Sequence, residues 1–346
     1  MNSNLGKVLT AAAVGALAVG FTSARPQGEH YQVAGDHVAI YNLAGAVTLE
    51  GGSGDVTVDV ERHGADAAQL RVERGELRGR QTLRIIYPAD RISAPDISGS
   101  TELNVRDDGT FGDGGGGHRV RIGRGSGLAA SADLLVRVPA GRTVEVHLAV
   151  GKVTVSNVEG DLQLDTHAAP VSTNATRGSL EIDVGSGRVE VTDAEGDVSI
   201  DTGSGSVTAT GVRGDALQID TGSGSVTATD VAVEDLSIDT GSGSVEVSGA
   251  AATIGIDTGS GGVKLTLTSN PVDVSIDTGS GSVTVTAPAS YGAEVDLETS
   301  SGGIELDFPV TTNRIERDHL QGVIGSGAGR LTVETGSGSI RIVNGG

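Results

Sequence analysis

The stretch Asp197-Val198-Ser199-Ile200-Asp201, Thr202-Gly203-Ser204-Gly205, Ser206-Val207-Thr208-Ala209-Thr210, closed by Gly211-Val212-Arg213-Gly214, decides the fold. Its two five-residue runs alternate apolar and polar with period two, and Gly bounds each of them. That pattern reads as strand, turn, strand, turn. The phrase then returns, with its acidic residue at Asp165, Asp183, Asp201, Asp220, Asp239, Asp257 and Asp277, and with Glu298 and Glu334 continuing the column. A fixed period near 20 residues marks stacked units that bury their apolar sides only against their neighbours. The expected fold is all-β: a single parallel β-solenoid, helix-like in its winding, with two short strands in each coil of 18 to 21 residues.

Stacking puts equivalent strands in parallel register about 4.8 Å apart. Val198 and Ile200 then form one core row, and Val207 and Ala209 the other. The outward residues differ between the two strands. The first presents Asp197, Ser199 and Asp201, an acidic face. The second presents Ser206, Thr208 and Thr210, a hydroxyl ladder interrupted in later coils by Glu246 and Lys264. Gly in the turns is read as supplying positive φ, with Ser, Thr and Asp bonding the turn backbone.

Composition agrees with a thin stack. Aromatic residues make up 2% of the 346, there is no Cys or Trp, and Gly occurs 55 times, so Val, Ile, Leu and Ala must build the core. The formal net charge of -21 argues against nucleic acid, which is held largely by Lys and Arg. Residues 1–24 read as an export signal: Lys7, an apolar run too short to span a bilayer, then Thr22-Ser23-Ala24 before a mature start near Arg25. The chain then divides into irregular coils over residues 25–87, a Gly-rich mobile insertion over 88–127 and regular repeats over 128–346. Periplasm or cell surface is the expected location, with no membrane span once the signal is cleaved.

On Val136-Arg137-Val138-Pro139-Ala140-Gly141 leading into Val150-Gly151-Lys152-Val153-Thr154-Val155, on the Asp-Thr-Gly-Ser-Gly coils, and on Leu320-Gln321-Gly322-Val323-Ile324-Gly325 followed by Thr335-Gly336-Ser337-Gly338-Ser339-Ile340, the chain resembles the bacterial putative-adhesin family of β-strand-repeat proteins of unknown function. The resemblance runs over residues 38–343 except the insertion. It implies an exported β-solenoid, names adhesion as the role, and carries no catalytic residues.

The functional reading is therefore a non-enzymatic binding or display module of the cell envelope, with an unidentified envelope or extracellular partner. The alternative is a structural protein that stacks through its last strand at Ile340, which no capping helix follows. Asp-Thr-Gly-Ser is also the active-site phrase of aspartic proteases, but those bring two copies face to face, whereas equal spacing makes a ladder. Carboxylates about 5 Å apart repel by roughly 1 kcal/mol per neighbour even in bulk water. Calcium, with its preference for oxygen ligands, would relieve that cost, and Asp201, Asp220, Asp239, Asp257 and Asp277 are its candidate ligands. Screening by dissolved counterions would relieve it too. No other cofactor is expected. The Thr-x-Thr rows resemble those of ice-binding solenoids, but Glu246 and Lys264 break them. His147 and His167 sit beside the Asp165 position, and Arg213-Gly214-Asp215 spells an integrin-type tripeptide that is also the local repeat consensus.

Overall fold

The computed structural model describes residues 28–94, 100–112 and 116–346. The export signal expected over residues 1–24 lies outside them. The quoted repeat forms the strands Val198–Ser204 and Val207–Thr210. Each pairs in parallel with its equivalents in the coils before and after. One ladder runs Leu162, Leu180, Val198, Leu217, Leu236, Ile254, Val274. The other runs Val153, Val171, Val189, Val207, Val226, Val245, Val263, Val283. These side chains and the next inward row, Ile200 and Ala209 among them, are all buried. The core is the narrow space between two ladders of one solenoid, and it suits Val and Ile because β-branched side chains fill a pleated surface well.

The return segment adds a short third run, Glu195 to Arg213 to Ala232 to Ala250, over buried Ala194 and Val212. At this corner Asn157, Ala175, Asp193, Gly211 and Asp230 stack one per coil, all with φ between 51° and 70°. The left-handed turn that Gly was expected to supply is thus made here, mostly by Asn and Asp, residues that tolerate it.

The glycines of the repeat phrase have another cause. Gly205, Gly224, Gly243 and Gly261 lie outside the left-handed region. A Cβ on any of them would stand far inside 3.0 Å of the carbonyl oxygen of the glycine one coil away: Gly187, Gly205, Gly224 and Gly243 in turn. The coils touch backbone to backbone along this column. Beside it the Thr of each phrase points inward, and from Thr221 onward its hydroxyl donates to a neighbouring coil's glycine carbonyl, as Thr278 does to Gly261 at 3.1 Å and Thr335 to Gly281 at 2.9 Å, whereas the buried Thr202 hydroxyl has no partner among the described residues.

Both ends of the stack are threaded out of sequence order. His37–Gly52 lies between Ser131–Pro139 and Arg142–Ala168, parallel to both. At the other end Gly329–Ser337 lies between Asp273–Thr278 and Ala293–Ser301. Likewise Ile340–Asn344 lies between Val283–Ala287 and Ile304–Leu306. The last strand is therefore an interior rung with Ile340 and Ile342 buried, and it offers no open edge for stacking another chain. A hairpin of Val310–Ile315 and His319–Ile324 covers Ala293–Ser301 antiparallel.

Where the sequence shows a Gly-rich insertion, the described residues form a second, four-stranded sheet: Thr101–Val105, His118–Gly123, Arg91–Ser93 and Leu128–Ala129. Ile92, Leu103, Val105, Val120 and Ile122 are its buried side. Strands of two to six residues separated by Gly give too little alternation to be read in advance. Among the described residues no helix is long and apolar enough to cross a membrane.

Candidate functional site

Parallel register brings the repeat carboxylates into one column. Asp165, Asp183, Asp201, Asp220, Asp239, Asp257 and Asp277 are successive partners. The end departs from the sequence order, because Asp277 pairs with Glu334 and only Glu334 reaches Glu298. The five aspartates named as calcium ligands, Asp201 to Asp277, therefore occupy adjacent rungs of an exposed face. They form a row with no facing pair, which is not the geometry of a proton-sharing dyad. Among the described residues no three His, Asp or Glu side chains converge as a metal-holding group.

The column's charge is not fully relaxed. Partial burial, then Asp165 and Asp201, raise the Asp183 carboxyl above the usual aspartate value. Partial burial, then Asp220 and Asp257, do the same to Asp239.

One end of the column runs into a buried ionic network that repeat arithmetic alone did not reveal. His147 precedes Asp165 by 18 residues, and its Nδ1 donates to Asp165 Oδ2 at 3.0 Å. Its Nε2 faces Glu145 Oε2 at 3.4 Å, and Glu145 also receives Arg80 and His37. The imidazole is stacked on Tyr41, 4.3 Å between centroids, and Phe111 of the insertion meets both rings edge-on. Gly112 sits so close that a Cβ would come 2.9 Å from Asp165 Oδ2. The sequence did place His147 and His167 beside Asp165; Glu145 and Arg80 come from a strand and a hairpin with no repeat register to betray them.

Burial disfavours charge on both partners, but the contacts win. Hydrogen bonds donated to Asp165 and Glu145 outweigh burial and raise His147 above 6.5. Bonds from His147, Arg80 and His37 likewise hold Glu145 down at about 2. These shifts give the stability a definite pH dependence. The His147 contribution is complete below 6.5 and is lost as pH rises through its raised folded value. Asp183 and Asp239 bind protons more tightly when folded, so they too favour the fold as pH falls towards 3.8. Glu145 acts oppositely, and its contribution is lost as pH falls from 4.5 towards 2. The Tm is therefore expected to rise from about pH 8 to about pH 5 and to fall below about pH 4. Calorimetry of His147→Gln should show the rise flattened between pH 8 and 6, and an unaltered profile would remove His147 from this account.

The opposite face carries the hydroxyl ladder. Thr208 and Thr210 pair with Thr227 and Thr229, and the Thr210 and Thr229 hydroxyls are 3.2 Å apart. Glu246 and Lys264, which seemed to interrupt it, are partners on adjacent rungs, joined at 2.7 Å. The integrin-type tripeptide is not free, since Arg213 pairs with Asp230 at 2.8 Å and Gly214 is packed against the Gly196 carbonyl.

No curated protein matches the chain. A solved structure from Clostridium sporogenes, described as a putative cell adhesion protein, is 12% identical, covering 92% of this chain and 100% of the other, with a TM-score of 0.21. At that score neither fold nor role is carried over from it. Residues 103–343 match the family model described as Toastrack DUF4097, well over half the chain and all of its regular coils. That match bears out the family read from the Val-Pro-Ala-Gly segment and the Asp-Thr-Gly-Ser-Gly coils: the chain belongs to the Toastrack DUF4097 family of β-strand-repeat proteins.

Proposed function

We propose that this protein is an exported, non-enzymatic display module with an adhesin-like role at the cell envelope or surface. The observation that carries the reading is the repetition of two different polar faces, the carboxylate column and the hydroxyl ladder, rung after rung on one rigid stack. A partner that contacts one rung weakly can contact several at once, and avidity then grows with the number of rungs. The test is binding of labelled residues 25–346 to intact cells and to isolated envelope. Deleting residues 217–235 joins Ala216 to Leu236 and removes one coil in register. Saturable binding is expected, weakened about tenfold or more by that deletion. Binding indifferent to coil number, or none, would reject the reading. Protease treatment of intact cells reports surface exposure separately.

We also propose calcium as the ion that bridges neighbouring carboxylates between Asp201 and Asp277. What supports it is the adjacency of five aspartates whose mutual repulsion a divalent cation would relieve. Millimolar calcium should raise the Tm by several degrees over sodium at equal ionic strength. The Asp239→Asn variant should respond less. A melt unchanged by calcium and by chelator would discard the proposal.

A further inference from the structure

The second sheet carries a surface unlike the rest of the molecule. Residues 151–346 hold 28 carboxylates against 9 Lys and Arg. On the small sheet the balance reverses. Its buried side packs on the solenoid, and its outward side presents Arg119 and Arg121 on His118–Gly123, Arg91 on Arg91–Ser93, and Glu102 and Asn104 on Thr101–Val105. Arg124 stands in the turn that follows, which the Ser93 hydroxyl fixes by donating to the Gly125 carbonyl at 2.7 Å. Glu102 serves both Arg119, at 3.0 Å, and Arg121. Asp90 and Asp107 face His118, at 3.5 and 3.8 Å. Arg91 and Arg124 are exposed, and their side chains have no ion pair or hydrogen bond among the described residues.

Register adds a second observation. Arg91 lies directly opposite Arg121 on the neighbouring parallel strand. Like charges in that position destabilise a sheet. The arrangement is the mirror image of the carboxylate column, in which like charges also face each other across parallel strands. Both rows run perpendicular to their strands with the same interstrand repeat of about 4.8 Å. The spacing of Arg91 and Arg121 therefore matches that of two successive carboxylates of the column, with Glu102, the register partner already paired to Arg121, closing the arginine row on its far side.

We propose that the arginine face of the small sheet binds the carboxylate column of a second copy of this chain. Donor and acceptor surfaces are different patches, so the contact is heterologous and can continue from copy to copy. It names a partner for the display reading, and rests on that reading only in treating the polar faces as contact surfaces. The net charge of -21 opposes association at long range. At about 0.15 M salt, however, the screening length is about 8 Å, so distant repulsion fades while pairs in contact persist.

Sedimentation velocity on residues 25–346 tests this across a concentration series at about 0.15 M and about 1 M salt. Concentration-dependent oligomers are expected at the lower salt, and monomer at the higher. Arg91→Glu with Arg124→Glu should be monomeric, and so should the triple variant Asp220→Asn, Asp239→Asn, Asp257→Asn. Mixing the two variants should restore dimers and nothing larger, because the first keeps the column and the second keeps the arginine face. A wild-type chain that stays monomeric, or one whose association survives the arginine substitutions, overturns the proposal. So does a monomer that binds poly-glutamate through Arg91 and Arg124, which would give the face to a foreign polyanion. A monomer that still binds cells refutes the second copy while leaving display standing, so the two failures are distinguishable.

Discussion

Gly243→Ala is expected to destabilise the protein by about 3 kcal/mol or more, the upper end for forcing atoms into a packed interior. In a chain this long that corresponds to a Tm lower by roughly 5 °C. The cause is not lost flexibility, since Gly243 lies outside the left-handed region. A methyl group there would be driven into the Gly224 carbonyl, a backbone atom that cannot rotate away as a side chain can. Relief requires separating two coils, and Gly224 is itself packed on Gly205, so the displacement would propagate along the column. Gly255 supplies the control. It lies in the strand Val245–Thr258, in the outward position that Ser237 and Ser275 fill on the adjacent rungs, and a Cβ added there meets nothing within 4 Å. Gly255→Ala should leave stability unchanged or raise it by roughly 0.5–1 kcal/mol, because it restricts the unfolded chain without a clash. Urea melts of the two variants decide the matter. If both behave alike, the repeat glycines answer to turn conformation and not to the contact between coils.

This contrast bears on what a reader of the sequence could know. Strand identity, parallel register and core rows followed from the alternation in Asp197 to Thr210, because a period of two combined with a fixed repeat leaves one way to stack. The acidic column followed from the same arithmetic. The reason for Gly205 and its equivalents did not, because local sequence names the residue type while the atom that excludes a Cβ belongs to another coil. The His147 network stayed hidden for a related reason: Arg80 and Glu145 are 65 residues apart and outside the repeat. Threading was hidden as well. Glu298 precedes Glu334 in the chain, and every local signal in their two coils is equivalent, yet Glu334 takes the inner position. Nothing in a repeat phrase states which copy of it will be its neighbour.

Deleting residues 329–346 should therefore do more than shorten the stack by one rung. In a sequentially stacked solenoid the last coil is dispensable, because only the coil before it loses a neighbour. Among the described residues the deleted segment is the only strand partner joining Ala293–Ser301 and Ile304–Leu306 to the rest of the stack, and the hairpin beyond them pairs with Ala293–Ser301 alone. Leu331, Val333, Ile340 and Ile342 are fully buried, and each such side chain is worth about 1.5–3 kcal/mol of burial. Their removal also opens the edges of Asp273–Thr278 and Val283–Ala287, whose unpaired backbone groups invite association with other chains. Hydrogen exchange on the truncated protein should show amides throughout residues 293–324 unprotected, while those of residues 153–267 keep most of their protection. Full-length Ile342→Ala should show the same regional loss in milder form, at a cost of about 2–5 kcal/mol. Protection persisting over residues 293–306 would mean that this coil can close directly onto residues 273–287. The final segment would then be an insertion that the stack tolerates, and not the piece that joins its last coil to the rest.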